Sequence, residues 1–193
     1  VERCQKGRGA GPCEARHQAV TLRLAGFAGD SIVDGPGIRF TTFCQGCPHH
    51  CPGCQNPETW PFEGGFEVTP EEVVEHVKRN PLTRGVTFSG GEPFAQAAAH
   101  AELARQLKAA GYEVASYTGY TFEQLLEEQD PAKLDLLQQL DILVDGPFRQ
   151  EELSLELRFR GSANQRILNV PQSLAQGKAV WETRPRWVGD EVH

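Results

Sequence analysis

Residues 44–54 read CQGCPHHCPGC, and four of the chain's six cysteines lie in that stretch. Free thiols pack as small hydrophobes, but packing alone does not require four in one short loop. Written as spacings, Cys44, Cys47, Cys51 and Cys54 form C-x2-C-x3-C-x2-C. Three chemistries compete for such a loop: a disulfide staple, a structural zinc site and an iron–sulfur cluster. Zinc takes four ligands in a tetrahedron, with Cys44, His49 or His50 available as the fourth. Structural zinc sites usually pair two knuckles across a longer insert, so this loop is cramped for one. A cubane of four irons normally takes four cysteines, at other spacings. Cys47, Cys51 and Cys54 alone would leave one iron without a protein ligand. An open coordination position lets a metal site act on a bound molecule rather than only hold a fold.

Composition narrows the setting. A chain of 193 residues suits one domain. Apolar residues make up 39%, and no run approaches the roughly 18 needed to span a membrane. The first twenty residues are polar and glycine-rich, without the apolar segment of a secretory signal. The expectation is a cytoplasmic protein whose thiols stay reduced, which weighs against the disulfide. A net charge of −7, from 19 basic and 26 acidic residues, weighs against nucleic acid as a partner. Residues 1–19, with Cys4 and Cys13, lack apolar periodicity and read as a mobile N-terminal segment.

The elements that must position the cysteines follow from local signals. AVTLRLAGF (19–27) and GIRFTTF (37–43) read as strands, the second running into the cysteine loop. VTPEEVVEHVKRN (68–80) reads as a helix with Thr69 as N-cap, Pro70 in its first turn and Glu72 completing a capping box. GVTFSGGEP (85–93) is a short strand entering a glycine turn, and AQAAAHAELARQLKAAG (95–111) is a helix closed by Gly111. YEVASYTGY, DILVDGPF and QRILNV read as further strands, with helical pieces on either side of Asp130 and Pro131 and a last strand suggested over KAVWETR. This strand–helix alternation predicts an α/β fold with a mostly parallel sheet. The length is short of a full eight-fold barrel, so an open partial (β/α) barrel is expected. The cysteine loop, SGGEP, YTGY and VDGP each follow a strand directly. Ligands bind at the carboxyl ends of parallel strands, so these motifs should converge on one edge.

C-x3-C-x2-C after an early strand resembles the radical S-adenosylmethionine enzymes, and SGGEP (89–93) resembles that superfamily's second motif. VDGPGIR (33–39), GCPHHCPGCQNPETW (46–60), SGGEPF, YTGY, ILVDGPF and RFRGSANQRIL narrow the resemblance to activating enzymes of anaerobic (class III) ribonucleotide reductase. RGSANQR helps separate this family from the related activase of pyruvate formate-lyase. Gly53 and Gln55 depart from the aromatic and histidine found beside the third cysteine in some relatives.

The resemblance implies a radical S-adenosylmethionine domain over 20–172, flanked by 1–19 and a C-terminal extension, 173–193. It implies a [4Fe–4S] cluster on Cys47, Cys51 and Cys54, with S-adenosylmethionine at the open iron. Residues expected around that ligand are Gly53, Cys54, Gln55, Gly90, Gly91, Glu92 and Thr118. Gly90 and Gly91 would bring backbone close to the ligand, and Glu92 would meet its ammonium or fix the turn around it. His49 and His50 read as solvated loop residues. The implied partner is the glycyl radical subunit of anaerobic ribonucleotide reductase. A low-potential donor such as flavodoxin or ferredoxin would supply electrons, with no nucleic acid and no membrane involved. No acid–base pair is required, which agrees with the lack of a convincing Ser/His/Asp or paired-carboxylate constellation. An activase of another glycyl radical enzyme and a non-enzymatic zinc or iron–sulfur protein are the alternatives.

Overall fold

A computed structural model describes residues 20–189. The N-terminal segment with Cys4 and Cys13, expected to be mobile, lies outside the described residues, as does 190–193. β1 (Leu22–Ser31) and β2 (Ile38–Cys44) are joined by a short connection, which suits antiparallel pairing. β3 (Phe66–Val68) adds to the outer side of β1, also antiparallel. Then α1 (Pro70–Lys78), β4 (Thr83–Gly90), α2 (Ala97–Ala109), β5 (Glu113–Tyr117), α3 (Phe122–Glu127), α4 (Pro131–Gln139) and β6 (Ile142–Asp145) alternate. Helices supply the long crossovers that parallel neighbours need, and β2, β4, β5 and β6 pair in parallel.

β7 (Arg166–Asn169) returns antiparallel to β6. The sheet order is β3-β1-β2-β4-β5-β6-β7. The parallel sheet expected from the sequence is thus the centre of a mixed one. The helix at 70–78 carries the capping box as read: Thr69 accepts from the Glu72 amide, and Glu72 accepts from Thr69. KAVWETR forms only an isolated bridge, Trp181 to Leu168. Unforeseen are β3, α5 (Val170–Gln176) and α6 (Pro185–Val188). The expected domain boundary at 172 falls inside α5.

Side chains alternate across each strand. One face sends Phe40, Val86, Phe88, Val114 and Leu143 against Val73, Val77, Leu103, Leu107, Leu136 and Leu137 of the helices. On the other face, Ala115, Ile142, Val144 and Ile167 pack with Trp187 of α6. Beside them the buried Arg39 guanidinium donates to Thr87 Oγ1 (2.7 Å), the Val86 carbonyl (2.8 Å) and Glu113 Oε1 (3.0 Å). It also lies 5.2 Å from the Trp187 ring centroid. VDGPGIR is therefore anchored at the start of β2, away from the cysteines at its end. Among the described residues, no helix is long and apolar enough to cross a membrane.

Candidate functional site

The cysteine loop begins where β2 ends, beside the end of β4, with Cys44 opposite Gly90 in the parallel register. Backbone hydrogen bonds sew the loop to the glycine turn. The Gly91 amide donates to the Cys44 carbonyl (2.9 Å) and the Glu92 amide to the Gly46 carbonyl (2.8 Å). The loop's other side is held by Gly46 N to Thr59 O (2.8 Å) and Cys47 N to Trp60 O (3.0 Å). A Cβ on Gly91 would lie 2.3 Å from the Gly46 carbonyl oxygen. One on Gly90, at φ +85°, would lie 2.5 Å from Phe43 Cα. Glycine is needed here for contact between two parts of the chain itself. The positive φ belongs to Gly90, and Gly91 is constrained by proximity.

Cys44 separates from the other three thiols. It is fully buried, and its sulfur sits 3.2 Å from His100 Nε2. His100 Nδ1 lies 3.1 Å from the Gln96 carbonyl. A carbonyl only accepts, so Nδ1 carries the proton and Nε2 accepts from the Cys44 thiol. Burial pushes the Cys44 thiol well up and lowers His100 to about 4, so both stay neutral at neutral pH.

Cys47, Cys51 and Cys54 face backbone donors instead. Burial pushes the Cys47 and Cys51 thiols up. Amides of His49 and His50 at Cys47, and of Phe148 and Cys51 at Cys51, act in the opposite direction. The Asn56 amide donates to the Cys54 sulfur (3.4 Å). N–H donors around a cysteine sulfur favour its thiolate, the form that ligates a metal. Among the described residues, no three His, Cys, Asp or Glu side chains are gathered around a point as one ion would need.

Glu92 is the hub of the site. It is 0% exposed, and its carboxylate accepts from the Phe94 amide (2.9 Å), the Thr118 hydroxyl (3.0 Å) and the Gly119 amide (2.9 Å). His49 Nε2 lies 2.7 Å from its Oε2. The His49 ring meets Tyr120 edge-on, with centroids 4.6 Å apart. His49 is therefore not a solvated loop residue. It clasps the cysteine loop to the ends of β4 and β5, and spacing alone held no sign of this. His50 is exposed, near Trp60, and Gly53 and Gln55 lie on the loop's exposed outer turn. Arg166 turns inward to Asp145 and Glu123.

The four motifs do converge. The turn after β6 brings Phe148 to Cys51 and Gln150 to Gly53, and the Gly146 amide donates to the Tyr120 carbonyl (2.8 Å). An open groove of about 490 Å³ lies elsewhere. It is lined by Glu113, Asp141 and Arg184 at the strands' opposite ends and holds none of the expected site residues.

Residues 33–168 match the family described as a 4Fe-4S single cluster domain. The anaerobic ribonucleoside-triphosphate reductase-activating protein of Vibrio cholerae is 38% identical over 144 residues, covering 70% of this chain and 90% of that one. This chain belongs to that family. The Escherichia coli protein of the same name is 33% identical over 142 residues, covering 69% of this chain and 90% of that one. Pyruvate formate-lyase 1-activating enzyme of Escherichia coli is 34% identical over 182 residues, covering 90% of this chain and 72% of that one. The crystal structure of QueE from Escherichia coli superposes with a TM-score of 0.40 at 18% identity. It covers 52% of this chain and 54% of that chain, a likeness too slight to argue from.

Proposed function

We propose that this chain is an activase that cleaves S-adenosylmethionine at a [4Fe–4S] cluster and so places a glycyl radical on anaerobic ribonucleotide reductase. The observation that carries this reading is the division of the cysteines. Cys44 is engaged with His100, which leaves Cys47, Cys51 and Cys54 beside the glycine turn at the ends of parallel strands. When bound, a cluster held by Cys47, Cys51 and Cys54 would supply the electron for reductive cleavage of S-adenosylmethionine, the chemistry that would let hydrogen be taken from a glycine of the partner. The protein's part is to bind, orient and exclude side reactions.

Cys47, Cys51 and Cys54 hold the cluster, with the N–H groups around them stabilising their charge. Glu92 spends its carboxylate on the turn and on His49, so it acts as a positioning residue. The backbone of Gly90 and Gly91 and the side chain of Thr118 form the wall nearest the cluster loop. Gly53, Cys54 and Gln55 form the outer rim. We read the sheet as an open partial barrel and 20–172 as the unit carrying the chemistry, with Trp187 of the C-terminal extension closing one end. The net charge of −7 fits a protein partner rather than nucleic acid, and we place the encounter in the cytoplasm, away from a membrane. A flavodoxin or ferredoxin suits the electron supply.

Electron paramagnetic resonance tests this. The reduced protein with S-adenosylmethionine should raise a glycyl radical signal on an anaerobic ribonucleotide reductase and release 5′-deoxyadenosine. The match to pyruvate formate-lyase 1-activating enzyme over 90% of this chain supports a second reading, activation of that enzyme. A signal with pyruvate formate-lyase alone would change the target and keep the chemistry. Absence of 5′-deoxyadenosine with either partner would end the activase reading.

A further inference from the structure

RGSANQR (160–166) has no place in the chemistry above, yet the side chains of Ser162, Asn164 and Gln165 are spent on the turn after β6 and on their own segment. Ser162 is fully buried. Its hydroxyl accepts from the Arg149 amide (3.1 Å) and donates to Asn164 Oδ1 (2.7 Å). Asn164 Nδ2 in turn donates to the Pro147 carbonyl (2.8 Å). Gln165 Nε2 donates to the Gly146 carbonyl (3.0 Å), while its Oε1 accepts from the Gly161 amide (2.9 Å). Phe148 is thereby gripped on both sides, at the carbonyl before it and the amide after it. Its ring also lies against Gly161, where a Cβ would be 3.0 Å from Phe148 Cδ2.

The gripped turn touches the cysteine loop twice. The Phe148 amide is set beside Cys51, where it favours the thiolate against the effect of burial. The Gln150 side chain packs on Gly53, where a Cβ would sit 2.8 Å from it. Hydrogen bonds to cluster sulfurs set an iron–sulfur potential, because they stabilise the more negative reduced state. Outer partners of metal ligands hold those ligands in orientation as well.

We infer that RGSANQR is a brace for the cluster: Ser162, Asn164 and Gln165 are positioning residues that hold the 146–150 turn, so that the Phe148 N–H meets the Cys51 sulfur. The inference rests on the cluster assignment proposed above. It also explains how a segment far along the chain from the cysteines bears on them without touching the cluster.

The test uses the full chain, wild type and two variants, Asn164→Ala and the smaller change Ser162→Ala. Iron content and an EPR-monitored redox titration are measured after anaerobic reconstitution. Amide hydrogen exchange over 146–150 is measured on the metal-free protein. Both variants should load iron as wild type does and show a reduction potential shifted downward. Their Phe148 and Arg149 amides should exchange roughly two- to twelvefold faster, the range for one lost hydrogen bond. An unchanged potential in iron-loaded variants overturns the brace and leaves the cluster assignment standing. Wild type that binds no iron overturns the cluster assignment instead. If the variants lose iron, exchange in the metal-free chain decides: faster exchange at 146–150 supports the brace, and unchanged exchange rejects it.

Discussion

At the residue scale, four cysteines of one loop have two different chemistries. Cys44 points into the helix-side core, where desolvation keeps it a neutral thiol bonded to His100. Cys47, Cys51 and Cys54 stand among backbone donors instead. Each of Cys47→Ala, Cys51→Ala and Cys54→Ala should therefore abolish the iron–sulfur absorption of the reconstituted protein. Cys44→Ala should keep it, at a stability cost of about 1–3 kcal/mol for an unpartnered buried imidazole nitrogen. Iron content and an anaerobic visible spectrum of the four variants check this. Stoichiometric zinc bound through all four thiols, with no iron–sulfur absorption, would reject the three-ligand site.

At the scale of elements, the junction between the β2 loop and the β4 turn is the most demanding piece of backbone in the site. Gly91 lies so near the Gly46 and Cys44 carbonyls that any side chain must push the two segments apart. Those carbonyls accept from the Glu92 and Gly91 amides, so the same push breaks two hydrogen bonds. Gly91→Val should lower both iron incorporation and Tm, rather than only weaken S-adenosylmethionine binding. Iron analysis with a thermal melt of the metal-free protein measures the two effects. A variant with full iron and an unshifted Tm would show that the junction yields more easily than its distances indicate.

At the scale of the whole molecule, His100 links stability to pH. Its burial in the core lowers its pKa from 6.5 to about 4. Between those values the unfolded chain binds a proton that the folded chain refuses, so stability is full above 6.5 and falls as pH drops toward 4. The loss from this one group is roughly 3 kcal/mol. Denaturant unfolding of the metal-free protein at pH 7.5, 5.5 and 4.5 should show the decline, and His100→Gln should flatten it. Equal slopes in wild type and variant would mean that His100 opens to solvent before the chain unfolds. The lowered carboxyl groups of Glu123 and Glu182 act in the same direction only at lower pH.

Much of this was legible in the sequence because it rests on short-range physics. The Thr69–Glu72 capping box, the Asp130–Pro131 helix start, the strand ends at SGGEP and YTGY and the C-x3-C-x2-C spacing each involve residues a few positions apart. Steric and hydrogen-bonding preferences at that range leave a local signature. What only the tertiary structure decided depends on contacts across long stretches of chain. His49 meets Glu92 across 43 positions, and Cys44 meets His100 across 56. Nothing in CPHHC distinguishes a solvated histidine from one that clasps a buried carboxylate. The direction of β7 was equally hidden, because a four-residue apolar strand reads the same whichever way it runs. The separation of Cys44 from the other three thiols was set when the end of β2 packed against the helix that carries His100, and that is fixed only when helix and sheet come together.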